Sequence, residues 1–463
     1  MTKLVSVLCT ALLLNASNIM ASDKLSLDEA IEILKSQNLE IKTSQLDVNV
    51  AEADAKSVSG SNLGKIDFIQ DFARSDDAGN VFGFKLTSRE ANFGDFGAEE
   101  FMNNFGACQA GNLAACNDMY NKPPDDLNYP DARNFFQSKL KYEVPLFTGF
   151  QISSYQNIMK AMTKMKTLEH KQMIREKVYQ LRKSYYDMAL LRKSAKLLNK
   201  ILQNIETLEN MTQQMINVGY AKKVDLLEVQ AKKGNVKRLI SQMESNQKLL
   251  YHFISFLLNQ NVNDIETPST AISMPTCTND DVIQNNLDIK RAQTGLEVRK
   301  GMVGVAKSSY YPMVGAFAEI ATADNTFLGD ASDHKAYTFG ARLTWNIFNG
   351  GTDQAKLEKS RIEQLKTKTQ VELAKKGIAL KVDKIRTEID SYDSDIASLE
   401  KELLLANEIY NNYEGRYREK LVSMSDVIIK QSQQIQKILQ LQMVKNKRNE
   451  RIFALIKLAN GDN

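Results

Sequence analysis

Residues 382–417 read VDKIRTEIDSYDSDIASLEKELLLANEIYNNYEGRY. Apolar or aromatic side chains fall at Val382, Ile385, Ile389, Tyr392, Ile396, Leu399, Leu403, Ala406, Tyr410, Tyr413 and Tyr417, three and four residues apart in alternation. That spacing holds one stripe on one side of an α-helix, and its length of five heptads makes it a coiled-coil seam. A looser version runs through Leu198, Ile201, Ile205, Leu208, Met211 and Met215. By itself such a stripe says only that helices are held together.

Outward from the seam, the prolines mark how far the helices can extend. All seven lie at Pro123, Pro124, Pro130, Pro145, Pro268, Pro275 and Pro312, so 146–267 and 313–463 contain none. Proline breaks a helix interior, so its absence permits very long helices in both tracts. Strands precede each helical tract. Phe136, Leu140, Tyr142, Val144 and Leu146 alternate with polar residues, and so do Tyr337, Phe339, Ala341, Leu343, Trp345 and Ile347. Ile66, Phe68 and Phe72 form a shorter alternating set, and 311–322 a weaker one. Period-two segments of this length suit barrel strands with an apolar and a polar face, or a half-buried soluble sheet.

The chain also repeats itself. Pro145-Leu146-Phe147-Thr148-Gly149-Phe150 is similar to Asn346-Ile347-Phe348-Asn349-Gly350-Gly351, an offset of 201 from Gly149 to Gly350. Val224-Asp225-Leu226-Leu227 matches Ser425-Asp426-Val427-Ile428 at the same 201. Upstream, Asn38-Leu39-Glu40-Ile41 matches Asn286-Leu287-Asp288-Ile289 at 248, so the first half carries 47 extra residues before its second strand. Each half reads helix, strand, loop, strand, long helix, turn, helix. A helix of about 66 residues would be about 100 Å long. The expected organisation is a signal peptide at 1–22, a first repeat at 23–267 and a second at 268–463.

The signal peptide rests on Lys3, the apolar run Leu4 to Leu14 and the small-residue site around Ala21-Ser22; the run is too short to span a bilayer. The net charge of +4 and the intermixing of both signs argue against a nucleic-acid binder. Cys108 and Cys116 sit close together in the extra segment, where an oxidising compartment would let them close a small loop; the other reading is that the thiols are unrelated, and Cys277 stays unpaired. His170, His252 and His334 are far apart in sequence, and no spacing points to a metal or a cofactor. No nucleophile–base set or phosphate loop indicates an enzyme.

In this order and at these offsets, the motifs resemble the TolC family of outer-membrane efflux and secretion channels. The residues that carry the resemblance are Pro145-Leu146-Phe147-x-Gly149, Phe348-x-Gly350-Gly351, the turn Gly219 to Asp225, and Leu25-Ser26-Leu27-Asp28-Glu29-Ala30-Ile31. It implies an α+β membrane protein: a homotrimer whose protomers each give four strands to a shared 12-stranded β-barrel, continued by a periplasmic coiled-coil helical barrel. Four strands cannot close a lipid-facing barrel alone, so their edges would pair between subunits. The resemblance further implies a passive outer-membrane duct working with a periplasmic adaptor and an inner-membrane transporter, surrounded by outer-membrane lipid. Asp426 corresponds to the family's constriction aspartate, and Ile429 stands where well-known members have a second carboxylate. Tyr417 and Asp225 correspond to a contact that locks the closed tip, while Val422 replaces a companion arginine and Lys420 a glycine. Each of these residues has a plainer reading. Either aspartate could cap its helix, and Tyr417 continues the seam. Type I protein secretion uses the same architecture, and a periplasmic coiled-coil scaffold would account for the heptads alone.

Overall fold

The computed structural model describes residues 24–268, 272–327, 329 and 333–459; the expected signal peptide lies outside them. The duplication is a duplication of elements. α1 (Leu27–Gln37) and α2 (Leu39–Gly60) lead to β1 (Lys65–Ser75). Four short helices follow: α3 (Ala78–Thr87), α4 (Ala98–Gln109), α5 (Leu113–Asn121) and α6 (Asp125–Asn128). Then come β2 (Arg133–Thr148), α7 (Gln151–Asn217) and α8 (Lys223–Leu258). The second repeat is α9 (Asn279–Asn285), α10 (Leu287–Ser308), β3 (Met313–Asp324), β4 (Lys335–Thr344), α11 (Thr352–Arg418) and α12 (Met424–Ala459). Helices α7 and α11 both have 67 residues, and α8 and α12 both have 36.

The chain divides into two compact units, one made of residues 24–50, 163–296 and 367–459, the other of 51–162 and 297–366. The first is helical. Val382, Ile385 and Ile389 of the seam are buried with Ile452 and Leu455 of α12 and Val282 of α9. Leu181, Tyr185 and Met188 of α7 form the matching cluster with Ile254 and Leu257 of α8 and Ile31 and Leu34 of α1. Each repeat fixes its opening helix with an asparagine. Asn38, 2% exposed, donates from Nδ2 to the Leu257 carbonyl and accepts the Ile41 N–H. Asn286, 3% exposed, donates to the Leu458 carbonyl and accepts the Ile289 N–H. Both sit in extended backbone between two helices, so the side chain replaces the helical bonds lost at the break.

The second unit holds one antiparallel sheet in the order β1-β2-β3-β4. The register of β2 on β3 shifts between Pro145 and Phe147, because proline has no N–H for the ladder. The sequence led us to expect the last strand to run on to Ile347. β4 instead ends at Thr344, and the Trp345 indole donates to the Tyr310 carbonyl at 3.3 Å. The chain leaves the ladder there on its way to Gly350 and Gly351, whose φ of 66° and 81° suit a turn that glycine makes without strain. The 47-residue excess lies between β1 and β2 as the α3–α6 insertion (76–132, against 325–334 between β3 and β4), where the sequence had suggested only a long loop. A disulfide joins Cys108 and Cys116 across α4 and α5, with their Cα atoms 4.7 Å apart. Among the described residues no helix is long and apolar enough to cross a membrane.

Candidate functional site: paired helix turns and a two-faced sheet

The turn between α7 and α8 depends on one left-handed residue, Gly219, with φ of 81°. The turn between α11 and α12 has Lys420 at the equivalent position, with φ of 65°. A lysine held there costs roughly 1–2 kcal/mol. Its ammonium lies 3.2 Å from the centroid of the Tyr220 ring, a cation–π contact between the two turns. A second bridge runs from the Ser425 hydroxyl to both carboxylate oxygens of Glu228, at 2.9 and 2.7 Å.

Asp225 accepts the Lys222 N–H at 2.8 Å, and so caps α8. Asp426 accepts both the N–H and the hydroxyl of Ser423, at 3.1 and 2.6 Å, while its own N–H donates to Ser423 Oγ at 3.2 Å. This is a reciprocal capping box. The Ser423 hydroxyl, with its N–H, holds the Asp426 carboxyl below the usual carboxylate range. Ile429 lies three residues further along α12 and is 52% exposed. Tyr417 is 6% exposed, and its hydroxyl makes no hydrogen bond of good geometry among the described residues. Burial pushes its phenol up, the nearby Thr212 hydroxyl works against this, and the negative charge of Asp225 adds to the rise. The structure thus brings Tyr417 within the field of Asp225 without a hydrogen bond between them, and Val422 packs into the same apolar cluster. Gln431 of α12 is fully buried, with neither amide atom paired among the described residues.

Lys420, Tyr220, Ser423 and Glu228 were not singled out by sequence as functional contacts. Matching Gly219 with Lys420 was the available signal, since a glycine needed for positive φ in one repeat marks a lysine under strain in the other.

The sheet has two unlike faces. Ile66, Phe68 and Phe72 share one face with Leu140, Ile320, Tyr337 and Phe339, as the pairings Phe68↔Leu140, Leu140↔Ile320 and Ile320↔Tyr337 require. All seven are exposed, Phe68 by 69% and Phe339 by 76%. The opposite face carries Lys65 with Asp67 and Glu143, and Lys139 with Glu319. Gln70, Ser138, Thr322 and Lys335 form one polar row across this face, between Phe68 and Phe72. The exposed apolar patch on the Phe68 side of that row is of the kind that marks contact with lipid or another chain. β1 and β4 are both edge strands, each pairing on one side only.

At the end of β3, Glu90, Asp324 and His334 each bring one potential ligand atom within 4.8 Å of the others. The Arg133 guanidinium is ion-paired with Glu90 and lies in the field of Asp324, so the positive charge in this cluster comes from the protein itself. Together with the stack of Phe84 on Phe135 (4.3 Å), it ties the helical insertion to the start of β2.

The chain thus combines a duplicated set of long paired helices with a four-stranded antiparallel sheet whose two edges are open. A family model described as outer membrane efflux protein matches residues 279–461. No curated protein matches the sequence. Among solved structures, the channel protein CusC is similar with a TM-score of 0.75 and 13% identity, over 94% of this chain and 91% of that one. The outer membrane protein VceC of Vibrio cholerae is similar with a TM-score of 0.74 and 13% identity, over 94% and 96%. The open state of the MtrE outer membrane channel of Neisseria gonorrhoeae is similar with a TM-score of 0.72 and 13% identity, over 94% and 89%. The resemblance to the TolC family therefore holds in sequence over the second repeat and in fold over nearly the whole chain.

Proposed function

We propose that the chain is the passive outer-membrane exit duct of a tripartite efflux system in a Gram-negative bacterium. The observation that carries this reading is the sheet: an exposed apolar face, a charged face and two open edges. Three copies pair β4 to β1 in a ring, close a 12-stranded barrel and leave no edge exposed to lipid. The apolar face meets lipid and the charged face lines water. The helices lie in the periplasm, where an adaptor docks and an inner-membrane transporter supplies the energy. The motion of cargo through such a duct needs no catalytic residue.

Asp426 and Ile429 form the constriction in this reading. Three copies of Asp426 around one axis concentrate negative charge and favour cations. Tyr417, buried in the seam near Asp225, holds the narrow state through its packing.

The test is accumulation of a fluorescent efflux dye in cells lacking the protein, with secreted protein profiled in the same culture. Raised dye with an unchanged secretome is expected. Unchanged dye with one missing secreted protein would overturn small-molecule efflux in favour of protein secretion.

A further inference from the structure

Strands β1 and β2 meet α2 and α7 at one end of the sheet, so the α3–α6 insertion and the β3–β4 connection share the other end. The two connections pack on opposite faces. Pairing places Arg133, Phe135, Lys139 and Ala323 on the charged face, and Phe72 and Phe136 on the apolar one. Phe327, in the β3–β4 connection, packs over the apolar face, its ring centroid 5.9 Å from Phe72 and 6.2 Å from Phe136. The insertion packs over the charged face. Phe84 of α3 stacks on Phe135 at 4.3 Å with the ring planes 11° apart, and α3 lies against both β2 and β3. The Arg133 guanidinium reaches the Ser88 hydroxyl at 3.5 Å and pairs with Glu90. Phe135 is 8% exposed and Ala323 3%, so this end of the charged face is covered.

We propose that the insertion is a second constriction, seated in the outer mouth of the barrel, and that it limits the size of what passes there. The proposal rests on the barrel reading above. In that barrel the charged face lines the lumen, so whatever packs on it stands in the path of the cargo. Strands about 4.8 Å apart and tilted by about 40° give a 12-stranded barrel a backbone diameter of about 25 Å. A helix with its side chains is about 10 Å across. Three copies of α3, each laid on the inner wall and backed by the rest of its insertion, take up most of that opening. The insertion is also braced internally. A disulfide joins α4 to α5, Lys85 of α3 is ion-paired with Asp95, and Phe82 meets Phe96 edge to face at 4.9 Å.

The test uses the full chain in whole cells. Cys277→Ser removes a free thiol, and Thr344→Cys places one on the charged face at the end of β4 remote from the insertion. Two membrane-impermeant maleimides are added outside, one small and one carrying a long polyethylene glycol chain, and labelling is read by mass on the purified protein. The small reagent should label Thr344→Cys and the bulky one should not. Replacing the insertion by a short glycine–serine turn should admit the bulky reagent nearly as fast as the small one. Phe84→Ala loosens the insertion without removing it, and so serves if the shortened chain fails to assemble. It should raise bulky labelling roughly two- to tenfold, the factor that loss of an aromatic pair supplies. Bulky labelling as fast as the small reagent's from the start, or raised by neither change, would overturn the constriction and leave the duct reading standing. If the small reagent labels Thr344→Cys in no variant that reaches the outer membrane, the charged face does not line a duct, and the barrel reading falls as well.

Discussion

The two helix turns occupy the same place in their repeats, yet they solve the same backbone problem differently. Both need one left-handed residue and one carboxylate at the start of the following helix. The first turn meets the left-handed need with Gly219 and caps through a single backbone N–H. The second uses Lys420, which is strained, and caps through the reciprocal Ser423–Asp426 box. The duplication has kept the conformation rather than the residues. Where a lysine stands in place of glycine, its side chain makes a contact to the other turn, Lys420 to Tyr220.

That contrast can be broken by experiment. Exchanging the left-handed residues should be the most asymmetric test. Gly219→Lys should destabilise its turn by about 1–2 kcal/mol. Lys420→Gly should be neutral to slightly stabilising, by up to about 1 kcal/mol, because relief of about the same strain is only partly offset by a lost cation–π contact of about 0.5–1 kcal/mol. Hydrogen exchange at the first amides of α8 and α12 would read both, and equal effects would show that the turns do not differ as described. Next, Ser423→Ala should weaken the start of α12 by about 1 kcal/mol, whereas Lys222→Ala should do little, since only its backbone N–H reaches Asp225. A large loss from Lys222→Ala would mean that its side chain also matters. A smaller effect is expected from Tyr417→Phe. Removing a buried hydroxyl with no well-formed hydrogen bond should leave stability unchanged or raise it by less than about 1 kcal/mol. A clear loss on thermal melting would show that the hydroxyl has a partner in the assembled protein.

The smallest effect should be in pH dependence. The folded Asp426 carboxyl titrates below its unfolded value, so its contribution is complete above an ordinary carboxylate pKa of about 4 and is lost as pH falls through the folded value. Ser423→Ala removes the largest cause of the lowered value and should move that loss to higher pH. Side-chain titration by NMR would show it, and an unmoved midpoint would assign the shift to another group.

Much of the fold was legible because it is periodic. The seam from Val382 to Tyr417 marks α11, and the 201-residue offset already implies the equality of α7 with α11. What escaped was decided by contacts distant in sequence. The insertion read as a loop because its helices are short and rich in Gly and Asn; a disulfide and the Arg133–Glu90 pair hold them in place. Trp345 read as strand by alternation, but the Tyr310 carbonyl and the glycine turn draw it out. At the turns, the capping reading of both aspartates was visible in sequence, since an acid at a helix start is a local signal. The bridges from Lys420 and Ser425 to the other repeat were not, since nothing in either stretch alone names its partner.

The equal lengths of α7 with α11 and α8 with α12 constrain how such a chain can change over generations. Ile205 and Leu208 of α7 share one cluster with Val229 of α8, Tyr410 of α11 and Val427 of α12. A deletion within one long helix would shift its half of this cluster along the axis and bring its turn up short of the other. Length can therefore drift only when both halves gain or lose matching amounts, in steps that keep the stripe in phase, about seven residues at a time. Single-residue insertions should be purged from the long helices.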